Sequence, residues 1–191
     1  MYREDLIIEG CIAGKRTEQC LLYKKFAPTM MGVCLRYSQN REEAEDILQE
    51  GFLKVFQNLR TFRKEGSLEG WIKRIMINHA LNQFRKNRRN PFLEDIEEIN
   101  ETEILDHDES SRAIDPVPEE TLISLIQSLP QGYRVVFNLY VMEENSHKEI
   151  AEALNISENT SKTQLMKARR LLRKKLLNLN PMKNSLVVHG K

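Results

Sequence analysis

The sequence predicts an all-α protein made of two small helical domains joined by an acidic linker. Three observations carry this reading. Apolar residues recur at helical rather than strand spacing on both sides of a long polar stretch. Charge falls in blocks, basic then acidic then basic, within a chain whose formal net charge is only +1. Residues 146–176, "SHKEIAEALNISENTSKTQLMKARRLLRKKL", read as a cap, a short helix, a turn, a second cap and a long basic helix.

At 191 residues the chain suits one domain or two small ones, and each half is long enough to bury a modest helical core. With 40% hydrophobic and 30% charged residues, 8 Gly and 6 Pro, it is neither collagenous nor wholly disordered. The opening "MYREDLIIEGCIAGK" has no signal-peptide core, and the run "VVFNLYVM" is far shorter than a membrane span. A cytoplasmic protein with no direct membrane insertion is expected. Cys11, Cys20 and Cys34 are odd in number and lack CxxC spacing. Buried reduced thiols are expected there, with no disulfide framework, no metal and no other cofactor.

In the first domain, Leu22, Phe26, Met30, Val33 and Tyr37 form one helical stripe, interrupted by Pro28, which implies a kink or a boundary. Ala44, Leu48, Phe52, Val55 and Leu59 form a second, with Asn40 as its N-cap. Opposite that stripe lie Asp46, Gln49, Glu50, Leu53 and Gln57, a mixed strip that reads from its pattern as a solvated face. Ile72, Met76, Ala80 and Phe84 make a third buried stripe, and Trp71, Arg74, Asn78, Asn82 and Arg85 face away from it, followed by Arg88 and Arg89. An aromatic ring beside amides and cations suits unpaired bases, since rings stack, amides read base edges and cations meet phosphates. The plainer reading packs Trp71 into the core and leaves the other residues in solvent.

From Arg60 to Asn90 there are nine Lys or Arg against Glu65 and Glu69, and from Pro91 to Glu120 twelve acids against Arg112. The acidic stretch has no sustained helical period and ends near Pro116 and Pro118, so it reads as a self-repelling, extended linker. The expected boundaries are 1–90 for the first domain, 91–118 for the linker, 119–178 for the second domain and 179–191 for a polar tail.

In the second domain, Leu122, Leu125, Ile126 and Leu129 give a short amphipathic helix ending at Pro130, and Val135, Val136, Leu139 and Tyr140 give another. Ser146 and Glu149 form a capping box for "HKEIAEAL", Asn155 permits a tight turn and Ser157 caps the next helix. That helix buries Ser161, Leu165, Ala168, Leu172 and Leu176. Asn159, Lys162, Thr163 and Lys167 are placed for base edges and nearby phosphates, and Arg169, Arg170, Arg173 and Lys174 mainly for phosphates. A basic helix facing solvent or RNA is the alternative.

The segment "AEDILQEGFLKVFQNLRTFRKEGSLEGWIKRIMINHALNQFRKNRR" resembles region 2 of the sigma-70 family, extracytoplasmic-function (ECF) type, and "LPQGYRVVFNLYVMEENSHKEIAEALNISENTSKTQLMKARRLLRKKL" resembles its region 4. Both occur in the family's order. The resemblance implies a non-catalytic subunit that binds core RNA polymerase and directs promoter-specific initiation. It assigns Asp46, Gln49, Glu50 and Leu53 to the polymerase, overturning the solvated-face reading. It gives Trp71, Arg74, Asn78 and Asn82 to the melted minus-ten strand, with Arg63, Lys64, Lys73, Arg85, Arg88 and Arg89 as backbone contacts. It gives region 4 the minus-thirty-five duplex and a dock on the polymerase flap. It also implies that the linker threads toward the active-site and RNA-exit path, and the run of acids here motivates the separate hypothesis that its carboxylates imitate phosphates in that channel. Many members are held by an anti-sigma factor, so that partner is implied as well.

"SENTSKTQLMKAR" departs from the family's frequent Gly-Thr-Val start, with Asn159 before Thr160 and Gln164 where Arg is common. A promoter sequence borrowed from a relative therefore does not transfer. The competing reading is an ordinary helix-turn-helix repressor or activator, which leaves the region 2 stripes unexplained. An enzyme finds little support: His79, His107, His147 and His189 are scattered, with no nucleophile elbow, phosphate loop or metal-ligand spacing.

Overall fold

The computed structural model describes residues 2–88 and 117–179. Among these, every regular element is helical. Residues 91–116 of the expected linker, Arg89 and the Arg88 side chain lie outside the described residues.

The chain opens with α1 (Tyr2–Ile12), which buries Ile8 and Cys11 against α2 (Arg16–Tyr37). Gly14, at φ +77°, makes the turn between them, and the Gly14 and Lys15 amides donate back to the Cys11 and Gly10 carbonyls. Sequence periodicity does not announce α1, because Leu6, Ile7 and Ile8 run consecutively instead of one turn apart. α2 continues through Pro28, so no boundary forms there. The proline removes only the amide that would bond Lys24, and burial of Leu22, Phe26, Met30, Val33 and Tyr37 outweighs that loss.

α3 (Arg41–Asn58) begins where Asn40, in extended conformation, accepts the Glu43 amide at 2.8 Å, while the Glu43 carboxylate accepts the Gln39 amide at 2.6 Å. A 3-10 turn, Leu59–Thr61, follows, then a loop and α4 (Leu68–Arg88). α2, α3 and α4 pack pairwise into one bundle. All the expected stripe residues of α3 and α4 are buried, joined by Ile47, Ile77 and Leu81. α3 approaches α4 closely at Gly51, where any Cβ would collide with the Met76 sulfur.

The second unit contains α5 (Glu119–Gln127), α6 (Gln131–Phe137), a single π turn (Asn138–Met142), α7 (His147–Leu154) and α8 (Glu158–Leu179). α5, α6 and α7 all pack on α8. Arg134, 1% exposed, donates through Nη1 to the Gln127 and Leu129 carbonyls at 2.7 and 3.3 Å. It thereby caps carbonyls at the end of α5 that have no helical donor.

The two units touch. α5 and α6 lie against α2, α7 lies against α4, and Val135, Val136, Leu139, Ile150, Leu154 and Leu165 join the apolar cluster of the first bundle. The C-terminal carbonyls of α2 are satisfied from across this seam. Gln127 Nε2 donates to the Leu35 carbonyl at 3.1 Å, and Asn138 Nδ2 to the Arg36 carbonyl at 2.6 Å.

Candidate nucleic-acid interface

On α3, Asp46, Gln49, Glu50, Leu53 and Gln57 are all exposed on one face. Leu53 is 61% exposed, an apolar side chain in the middle of a polar strip. Behind it stands His79 of α4, which is buried. Its Nε2 lies 3.0 Å from the Glu50 carboxylate and its Nδ1 2.6 Å from Lys54 Nζ. With Lys54 as donor, Nδ1 accepts and Nε2–H donates to Glu50, the neutral tautomer. Burial first, then the Lys54 charge, lowers the imidazole pKa, which agrees with that assignment. His79 thus joins the two helices through a residue of the exposed strip, a connection that its isolated position in the sequence does not reveal.

On the other side of α4, Arg74, Asn78, Asn82 and Arg85 are exposed together, and the Arg85 guanidinium donates to Asn82 Oδ1 at 2.9 Å. Trp71 falls between its two readings: it is half-buried, with its ring 5.5 Å from that of Phe62. Trp71, Arg63 and Arg74 line a half-open pocket of about 410 Å³, together with Phe62, Glu65 and Ser67. The Ser67 hydroxyl accepts the Gly70 amide at 3.0 Å and so starts α4 at the cavity's edge. Lys64 is exposed, but its ammonium is held by Asp5 of α1 at 2.6 Å. Lys73 points into the seam between the two units, where it meets Glu143 at 2.7 Å.

The helix-turn-helix is built from local signals. Ser146 accepts the Glu149 amide through Oγ while Glu149 accepts the Ser146 amide at 2.8 Å, completing the capping box. The Ser146 hydroxyl also donates to the Glu149 carboxylate at 2.7 Å, and that bond first, then the Ser146 amide, holds the Glu149 carboxyl below its ordinary pKa. Asn155 ends α7 in the left-handed region at φ 54°, and Ser157 Oγ accepts the Thr160 amide at 2.9 Å to start α8. His147 ties the two helices, with Nδ1 2.9 Å from the buried Ser161 hydroxyl and its ring stacked on Tyr140 at 4.7 Å.

Along α8, Asn159, Lys162, Thr163, Arg169, Arg173 and Lys174 are exposed, and Lys167 and Arg170 are partly covered. Arg169 lies over the Tyr140 ring at 5.5 Å and so sits at the edge of the basic face. Ser161, Leu165, Ala168 and Leu172 are buried on the opposite side. Among the described residues, no group of three His, Cys, Asp or Glu could hold a metal, and no helix is long and apolar enough to cross a membrane.

A helical bundle with an exposed cationic and amide face, followed by a capped helix-turn-helix with a basic second helix, defines a DNA-binding protein of two modules. Residues 22–90 match the Sigma-70 region 2 family, and residues 119–172 match the family described as Sigma-70, region 4. The ECF RNA polymerase sigma factor SigW of Bacillus subtilis is 34% identical over 156 residues, 77% of this chain and 82% of that protein. The RNA polymerase sigma-H factor of Pseudomonas aeruginosa is 26% identical over 182 residues, 91% of this chain and 94% of that one. A solved structure of the sigma factor RpoE with the anti-sigma factor NepR from Bartonella quintana aligns at 19% identity and a TM-score of 0.47, covering 84% of this chain and 96% of that chain. That likeness is too remote to bear on details. The chain belongs to the ECF type of the sigma-70 family of RNA polymerase sigma factors. Proteins of this family are non-catalytic subunits of RNA polymerase.

Proposed function

We propose that this chain binds core RNA polymerase through the α3 strip, reads the minus-thirty-five duplex with α8 and holds the melted minus-ten strand on α4. The observation that carries the reading is the pairing of two different nucleic-acid faces in one chain. One face offers a half-buried indole and two arginines around a cavity, with the Asn78 and Asn82 amides exposed farther along α4, a chemistry for an unstacked base. The other is a capped helix that presents Asn159, Lys162 and Thr163 outward from its N-terminal half, as a major-groove reader must.

Support for polymerase binding comes from Leu53, since an exposed leucine flanked by carboxylates and amides suits a docking surface. The relatives' names add to it, both being RNA polymerase sigma factors. Asp46, Gln49 and Glu50 complete the strip. Arg63, Lys64, Arg85, Arg88 and Arg89 would follow the phosphates of the opened strand, Lys64 only after leaving Asp5. An anti-sigma factor covering either surface belongs to the same reading.

The test is transcription by core polymerase reconstituted with the chain on DNA from its own host. Starts are expected at discrete sites sharing two spaced motifs. Trp71→Ala and Arg74→Ala should lower them about 10-fold or more on duplex templates and less on templates carrying a premelted bubble at the upstream edge of the start. Start sites that are the same with and without the chain would sink the proposal.

A further inference from the structure

α1 takes no part in the surfaces that the proposed function assigns, yet it is firmly seated. Ile8 and Cys11 are 6% and 3% exposed against α2, and Glu4 pairs with Lys25 at 2.6 Å. At Gly10 any Cβ would collide with the Glu18 side chain, so the two helices meet closely there. A helix held in this way keeps its own side chains in place. From it Asp5 reaches 59 positions along the chain to Lys64, where its Oδ1 accepts from Nζ at 2.6 Å.

Lys64 stands at the apex of the loop that leads from the 3-10 turn into α4. Every other residue of 61–67 lines the pocket beside Trp71, while Lys64 turns away to α1. Its backbone is left-handed, at φ 58°, a region that a residue with a Cβ enters at a cost. The ends of the loop have bonds of their own. The Phe62 amide donates to the Leu59 carbonyl at 3.2 Å, and the Ser67 hydroxyl accepts the Gly70 amide at 3.0 Å. Among the described residues, Lys64–Asp5 is the one hydrogen bond or ion pair that ties residues 63–66 to another element. The Asp5 bond first, and then the charges of Asp5 and Glu9, raise the pKa of the Lys64 ammonium against desolvation. A pocket wall left free to reshape has to be ordered when its ligand arrives, which weakens binding; a wall fixed beforehand avoids that loss.

We infer that Asp5 is a positioning residue for the base pocket: by holding Lys64 in its left-handed conformation, α1 fixes loop 62–67 in the shape that receives an unpaired base. The inference rests on the reading of this pocket as a base site. It also revises one residue of that reading, because a Lys64 that stays with Asp5 does not leave it for a phosphate. The two uses of Lys64 predict opposite signs: loss of Asp5 weakens binding if the loop needs its anchor, and strengthens binding if the lysine is freed for DNA.

Trp71 is the single tryptophan of the chain and lines the pocket, so its fluorescence reports the loop. Two measurements are made on the full chain: acrylamide quenching of Trp71, and titration with fluorescent single-stranded DNA of random sequence beside an abasic strand of equal length. The abasic strand reports phosphates, and the difference between strands reports bases. Asp5→Asn removes the charge with little change of shape. Quenching is expected to rise and base-dependent affinity to fall about 2- to 5-fold. Affinity for the abasic strand and the melting temperature should stay unchanged, since an exposed pair adds little to global stability. The swap of Asp5→Lys with Lys64→Asp re-forms the pair around a residue type that tolerates left-handed backbone, and should restore both readouts. Higher affinity of Asp5→Asn for both strands would overturn the inference, as would a swap that restores neither readout. So would unchanged quenching or unchanged base-dependent affinity in Asp5→Asn while Arg74→Ala still weakens that affinity; the pocket would then stand without α1. A parent that binds both strands equally, or that loses nothing in Arg74→Ala, would end the base-site reading itself and the inference with it.

Discussion

His79 shows how one side chain couples the bundle's core to its surface. Its imidazole is neutral, and its pKa is held down by burial and by Lys54. Near and below about pH 6.5 the unfolded chain therefore binds more protons than the folded one, so stability is full above that value and declines as pH falls. Thermal melting between about pH 7.5 and about pH 5.5 should show a larger drop in the parent than in His79→Gln, by a few degrees. Parallel pH profiles would refute the assignment. Nothing in the sequence discloses this role, because the partners Glu50 and Lys54 lie on a different helix. The exposed Asp46, Gln49, Glu50 and Leu53 face, in contrast, follows directly from helical periodicity, since a buried stripe on α3 fixes what must point away from it.

At the scale of elements, the proposed function divides the work of the second helix of the helix-turn-helix along its length. Exposed Arg173, well past the N-terminal half, is expected to meet phosphate. Arg173→Ala should weaken binding to all duplexes alike and reduce the slope of log K against log salt by about 1. Lys162→Ala should instead alter the preferred sequence, costing about 1–3 kcal/mol at the affected base pair. Binding titrations over a salt series, on matched and mutated sites, separate the two, and identical profiles for both variants would contradict the division. This motif was legible because Ser146, Glu149, Asn155 and Ser157 act on neighbours within a few residues. α1 was not, since its apolar residues lack a stripe, and the π turn was not, since its neighbours across the seam hold it. Pro28 misleads for a related reason: tertiary burial on both sides of it keeps α2 continuous.

For the whole molecule, two helical units could be read from charge blocks and periodicity, but their contact could not. The bonds across the seam join residues 92 and 102 positions apart, Gln127 to Leu35 and Asn138 to Arg36, and no local pattern encodes such pairs. One trace was present: Ile77 and Leu81 extend the apolar surface of α4 beyond its single stripe, a surplus that the first bundle does not need. The resulting picture is a chain whose two helical units share one seam, with the α3 strip and the Arg74, Asn78, Asn82 and Arg85 face of α4 both exposed. The proposed function gives the α3 strip to core RNA polymerase. Gel filtration of the chain with bacterial core RNA polymerase tests this most directly. A stoichiometric complex that is lost in a Glu50→Lys, Leu53→Asp variant is the expected result. No complex, together with tight duplex binding by the chain alone, would contradict it.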